Sequence, residues 1–122
     1  ETEFEVPSPE LKLNVDRTQI EQILINLLKN AREACSRKSD KKIQVKARKL
    51  SAGNTTLTIS DNGEGILPDV LDKIFVPFFT TKTSGSGIGL SLCKQIMTLH
   101  EGSINVKSEV GKGSSFILTF PK

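Results

Sequence analysis

Apolar residues follow two rhythms along this chain, and the change from one to the other marks out its elements. From Thr18 onward Ile20, Ile23, Leu24, Leu27, Leu28, Ala31 and Ala34 recur at three- and four-residue steps, which predicts one face of a helix. Asp16 just before it is a natural N-cap. KIQVKARKL and TTLTISD then alternate apolar and polar positions across Ser51-Ala52-Gly53-Asn54, the pattern of a hairpin. IGLSLCKQIMTLH returns to the helical period and is ended by Gly102. Ser103 to Ser108 and Ser114 to Phe120 form a second hairpin, and residues 3–6 and 11–15 read as short strands around Ser8-Pro9. Between Asn62 and about Ser86 no period is sustained, and long loops of this kind are usually functional. Strands grouped in pairs between helices predict an α+β fold. The expectation is one domain over 1–122, a two-layer sandwich with a mixed, mostly antiparallel sheet covered by helices on one face.

Composition narrows the function classes. The net charge is +3, and the cations are scattered without interleaved aromatic residues, so there is no nucleic-acid footprint. Such a mild positive balance suits either a solvated surface or a polyanionic small ligand. No apolar run approaches the ~20 residues of a membrane span and no signal peptide opens the chain, so no direct membrane contact is expected. Cys35 and Cys93 form no CxxC pair, and with one His in the chain a zinc site is not expected. They are expected to be free thiols packed as small hydrophobes in a reducing, cytoplasmic compartment.

Five groups of residues carry candidate chemistry. Asn26 and Asn30 lie one helical turn apart, at the edge of the apolar arc. They are either tolerated amides or a place where an amide oxygen meets Mg²⁺, an ion that prefers hard oxygen ligands. Asp61 ends a strand in DNGEGI, where Gly63 and Gly65 permit a sharp turn. This is a common turn signal, but a carboxylate here would also suit the exocyclic amine of adenine, since an ionised Asp only accepts hydrogen bonds. Gly85, Gly87 and Gly89 run directly into the second helix, where backbone N–H groups and the helix dipole favour an anion such as phosphate. Their GxGxG spacing fits neither a dinucleotide fold nor a P-loop. Phe75, Phe78 and Phe79 crowd a loop and should anchor it on the body of the domain, with Thr80, Thr81 and Lys82 following as a lid in which Lys82 meets phosphate. Thr119 on the last strand is either ordinary strand packing or a hydroxyl under the adenine, close to Asp61.

Taken in order, these segments resemble the histidine kinase branch of the superfamily that also holds DNA gyrase, a class of heat-shock chaperones and the mismatch-repair ATPases. NLLKNAREA resembles the N box, DNGEGI the first glycine box, FVPFF the F box, GSGIGLSL the second glycine box and GKGSSFILTF the terminal glycine-containing segment. TTKTSGSGIGLSL looks most like the nitrogen-sensor type. The resemblance implies a Bergerat-type sandwich holding ATP between the two long helices and a lid at about 66–86. It assigns Asn30 to Mg²⁺, Asn26 to the phosphate side, Asp61 to the adenine amine, Gly63 and Gly65 to the adenine pocket, and Gly85, Gly87 and Gly89 to the phosphates. The same segments bring Ile66, Phe79, Thr80, Thr81, Lys82, Ser86, Ile88, Leu90 and Thr119 into the nucleotide-binding set. Where many relatives carry Lys three residues after the metal-binding Asn, this chain has Glu33, which makes Lys82 the better phosphate ligand.

The same resemblance bears on the reaction. Relatives that hydrolyse ATP or phosphorylate serine carry a general-base Glu four residues before the metal-binding Asn, and here that position is Asn26, an amide that accepts no proton at neutral pH. Glu21 should face away from the site. A histidine acceptor, already nucleophilic, fits this arrangement. His100 ends the second helix and is expected to be structural. The acceptor is therefore expected on a separate histidine-bearing dimerisation domain, with a response regulator receiver domain downstream, and the chain should bind nucleotide without phosphorylating itself. A parent protein anchored in a membrane is compatible with this. Ile25, outside the apolar arc, hints at a surface that packs on the acceptor domain. A superfamily ATPase, a serine-directed anti-sigma-type kinase and a non-catalytic nucleotide sensor are the alternatives.

Overall fold

The computed structural model describes residues 2–5, 16–36, 39–76 and 89–121, with 2–5 and 89 as backbone alone. Strand β1 (Thr2–Glu5) is followed by helix α1 (Arg17–Ala34), strands β2 (Ile43–Lys49) and β3 (Thr55–Asp61), helices α2 (Pro68–Leu71) and α3 (Gly89–Leu99), and strands β4 (Ser103–Glu109) and β5 (Gly113–Phe120). The strands form one sheet in the order β1-β2-β3-β5-β4. Only the β1–β2 pair is parallel, so the sheet is mixed and mostly antiparallel, as the pairing of strands along the chain predicts.

Alternation decides which face the helices cover. Val45, Ile59, Phe116, Leu118, Phe120 and Ile104 point to one side and are buried. Against them pack Ile20, Ile23, Leu27 and Ala31 of α1 and Cys93, Ile96 and Met97 of α3. Each large side chain fully withdrawn from water contributes about 1.5–3 kcal/mol, so this single layer holds the sandwich together. Asp16 caps α1 as expected, accepting the amide of Gln19 at 3.0 Å.

Three expectations need correction. The aperiodic stretch after Asn62 contains α2, which starts with Pro68 at its first turn and is too short to show a period. Ile74, in the turn after α2, is buried in the core, and Phe75 packs against it while Lys94 Nζ stands 5.7 Å from its ring. The first strand, Thr2–Glu5, begins one residue earlier than predicted, and residue 6 and 11–15 lie outside the described residues. Finally, α3 is terminated by Glu101, which takes the left-handed conformation (φ 58), with Glu101 N–H donating to Thr98 O and Gly102 N–H to Met97 O. Gly102 is glycine for a different reason: a Cβ there would collide with the carbonyl oxygen of Thr119.

Candidate nucleotide site

Helix α1 lays one flank along the site. Its buried residues step Ile20, Ile23, Leu27, Ala31, which leaves Asn26 and Asn30 half-buried at the border of that face. Asn26 turns toward α3, its Nδ2 3.8 Å from the Sγ of Cys93, one turn into that helix. At the other end the Ala34 carbonyl accepts the amide of Glu64 at 3.2 Å. The flank therefore runs from the start of α3 to the turn after Asp61, with Asn30 between. Glu21 is exposed and pairs with Arg17 at 3.0 Å, so it takes no part.

Asp61 closes β3 on the helix-covered face. It stands directly between Ile43 of β2 and Ser114 of β5. Its Oδ1 accepts the amide of Gly63 at 2.8 Å. Burial pushes the carboxyl above its ordinary value of 3.8, against the opposing pull of the Gly63 and Ser114 amides. Asn62, between them, is wholly structural. Its Oδ1 accepts from Lys42 N at 2.8 Å and from the Cys35 thiol at 3.4 Å, while its Nδ2 donates to Asp40 O at 2.6 Å.

The glycines here are set by the protein's own close contacts. A Cβ on Gly63 would stand 2.6 Å from the carbonyl oxygen of Ala34. Gly65 has φ +78 and abuts the carbonyl of Glu109. The segment is stapled to the β4–β5 hairpin by Gly111 N–H to Glu64 O at 2.9 Å and by Ile66 N–H to Ser108 Oγ at 2.7 Å.

Thr119 is not part of this constellation. It lies opposite Thr56, five positions along β5 from Ser114, the partner of Asp61. Odd positions of β5 also face away from the helices, so Thr119 is at the wrong end and on the wrong face. The hydroxyl beside Asp61 is that of Ser114, which is buried and 2.8 Å from Ser108 Oγ. Counting the register back from the end of the last strand would have found it.

Gly89 opens α3, and Leu90 after it is half-buried against the core. Phe78, Phe79, Thr80, Thr81, Lys82, Gly85, Ser86, Gly87 and Ile88 lie outside the described residues. His100 is structural: its Nδ1 meets Ile96 O at 2.8 Å, and Nε2 accepts the amide of Asp16 at 3.0 Å, joining the end of α3 to the cap of α1. Both cysteines are buried and in no disulfide, and desolvation pushes the Cys93 thiol up to about 11. Among the described residues no cluster of His, Cys, Asp and Glu would hold a metal ion, and no helix is long and apolar enough to cross a membrane. A shallow groove lined by Gln44, Lys46, Arg48, Thr56, Thr58 and Ser60 lies on the other face of the sheet and includes no predicted site residue.

Residues 15–122 match the family of histidine kinase-, DNA gyrase B- and HSP90-like ATPases. Sensor histidine kinase ZraS of Salmonella typhimurium (strain LT2) is 39% identical over 110 residues, covering 90% of this chain and 23% of that protein. The C4-dicarboxylate transport sensor protein DctB of Rhizobium meliloti (strain 1021) is 40% identical over 119 residues, covering 98% and 19%. The chain thus spans about a quarter or less of the length of these relatives. Among solved structures, the catalytic domain of histidine kinase ThkA superposes with a TM-score of 0.87 at 35% identity, covering 100% of this chain and 80% of that one. ThkA in complex with the response regulator protein TrrA gives a TM-score of 0.79 at 32% identity, covering 100% of this chain and 34% of that one. With that sheet, that flank of asparagines and those matches, the chain belongs to the histidine kinase-, DNA gyrase B- and HSP90-like ATPase family, on its sensor histidine kinase branch.

Proposed function

We propose that this chain binds Mg-ATP and serves transfer of the γ-phosphate to a histidine on a separate dimerisation domain, in two-component signalling with a response regulator receiver domain downstream. The observation that carries this is Asp61: a half-buried carboxylate held by backbone amides, facing the helices at the end of α1's asparagine flank. Its oxygens only accept, which suits an amine donor such as that of adenine. Adenine recognition by Asp61, with Gly63, Gly65 and Ile66 lining the pocket, follows from that chemistry. Asn30 supplies a hard oxygen to Mg²⁺, which commonly takes one or two protein ligands and completes its shell with phosphate and water. Asn26 and the start of α3, with Gly85, Gly87 and Gly89, face the phosphates, helped by the helix dipole and by Lys82 from a lid at about 66–86.

Bound ATP supplies the phosphoryl group; the residues here supply position and charge neutralisation. Asn26 and Asn30 take no proton, and Glu21 points to solvent. That favours a nucleophilic imidazole over water or serine as acceptor. The domain is expected to work in the cytoplasm, whether or not its parent is membrane-anchored, and its nearest subtype is the nitrogen-sensor one.

Two measurements test this. Calorimetry should find ATP bound, and Asn30→Ala should cost more affinity in Mg²⁺ than in EDTA; equal losses would remove the metal role. Labelled ATP with a histidine-bearing hairpin domain of a related kinase should label that domain in trans. Nucleotide binding without transfer would favour a non-catalytic sensor, and brisk phosphate release by the chain alone would favour an ATPase.

A further inference from the structure

Ser108 faces the helices from β4 and is half-buried, one strand beyond Ser114 and two beyond Asp61. Its hydroxyl stands where three segments of the site meet. It accepts the amide of Ile66 at 2.7 Å, lies 2.8 Å from Ser114 Oγ, and is 3.2 Å from the carbonyl oxygen of Gly113. A serine hydroxyl has one proton and two lone pairs. Ile66 takes one lone pair, so the direction of the single proton sets the role of its neighbour.

If that proton goes to the Gly113 carbonyl, Ser114 must donate to Ser108 and can only accept from a ligand. If it goes to Ser114, the Ser114 hydrogen is released to donate. Both arrangements keep the 2.8 Å contact with Ser114, so in either one Ser108 fixes where the Ser114 hydrogen points. Hydroxyl-to-oxygen hydrogen bonds centre near 2.7–2.8 Å, the length of the Ser108–Ser114 contact. The Ser114 hydroxyl, held this way, stands beside Asp61, which is acceptor-only when ionised. A hydroxyl held in one orientation beside an acceptor tells purine edges apart, and adenine presents an amine next to an acceptor ring nitrogen. Guanine presents the reverse pair there.

We propose that Ser108 is a positioning residue for the purine pocket: it fixes the orientation of the Ser114 hydroxyl and ties Ile66 to the same point. This rests on the adenine-nucleotide reading above. Ser108 touches no ligand itself and acts through Ser114 and Ile66.

Calorimetry with ADP and GDP on the wild-type chain and on Ser108→Ala, Ser108→Thr, Ser108→Cys, Ser114→Ala and the Ser108→Ala/Ser114→Ala pair tests it. Ser108→Ala should weaken ADP by about 3- to 15-fold, the scale of one neutral hydrogen bond, and narrow the preference for ADP over GDP. Ser108→Thr should restore both. Ser108→Cys keeps the volume with a poorer donor and should fall between, so the series stays readable if the Ala variant melts early. Ser108→Ala should cost little more once Ser114 is Ala. Wild-type ADP affinity in both the Ala and Cys variants would overturn the proposal, as would an undiminished loss in the Ser114→Ala background. If the wild-type chain bound neither nucleotide, the functional reading and this one would fall together; tight wild-type binding with unchanged variants would sink Ser108 alone.

Discussion

Burial lifts the Asp61 carboxyl above its ordinary value of 3.8, which separates what this residue does for the fold from what it does for a ligand. A raised folded pKa means that the stability it contributes is full below the unfolded value and is lost as pH rises through the folded one. At neutral pH the ionised Asp61 therefore weakens the fold. Asp61→Asn should melt no earlier than wild type at pH 7, yet lose about 1–3 kcal/mol of ATP affinity, roughly 5- to 150-fold, with its charge-assisted hydrogen bond. Parallel melting and calorimetry would show this, and equal affinities would refute the adenine assignment. Wild-type affinity should also begin to fall on acidification at a higher pH than an ordinary Asp would give, and the Asn variant should lack that step. Glu101 is strained without a ligand to justify it, since a side chain at φ 58 costs about 1–2 kcal/mol. Glu101→Gly keeps both hydrogen bonds that end α3 and should gain about 0.5–1 kcal/mol, read as a higher Tm. A lower Tm would mean that the carboxylate has a partner role.

At the scale of elements, the tightest constraint is the apposition of the α1 C-terminus and the turn after β3. Gly63→Ala would drive a Cβ to within 2.6 Å of a backbone carbonyl, which no rotamer relieves. It should cost about 1–3 kcal/mol of stability, and nucleotide affinity as well, because Asp61 and the asparagine flank are pushed apart. Gly111→Ala is the control: nothing lies within 4 Å of its Cβ, and only its φ of +85 resists, so it should cost about 1 kcal/mol and leave binding alone. Equal effects on binding would mean that the apposition is not what sets the site. These elements also mark how much was readable from sequence. The period of α1, the alternation of β2 to β5 and the N-cap at Asp16 are local signals, and each was legible. The short α2 was not, having too few residues to repeat. Nor was the place of Thr119, because motif order says nothing about register, and a strand read from its far end misassigns both position and face. Asn62 looked like a turn residue because its partners, Lys42, Asp40 and Cys35, are about twenty or more positions away.

The two thiols give the molecule as a whole an internal gauge. Cys35 sits under the C-terminus of α1, bonded to Asn62, and Cys93 sits between α1 and α3, against Asn26. Both are fully buried, so neither is open to reagent in the folded state, and desolvation also pushes Cys93 up to about 11. Alkylation must wait for an opening. If the single core layer opens as one unit, both thiols should react at one rate set by global unfolding. Because the raised pKa of Cys93 adds stability that is present below its ordinary 9.0 and lost as pH rises toward about 11, both should become labile together in that window. A ligand that binds only the folded state adds RT ln(1 + [L]/Kd), about 2.7 kcal/mol at one hundred times Kd. Mg-ATP at that level should slow both thiols by about 100-fold, although only Cys93 lies beside the proposed phosphate flank. Mass spectrometry of timed alkylation, with and without nucleotide, resolves the two sites. Protection of Cys93 alone would mean that α3 opens by itself and that nucleotide clamps it to α1 without holding the rest of the sandwich.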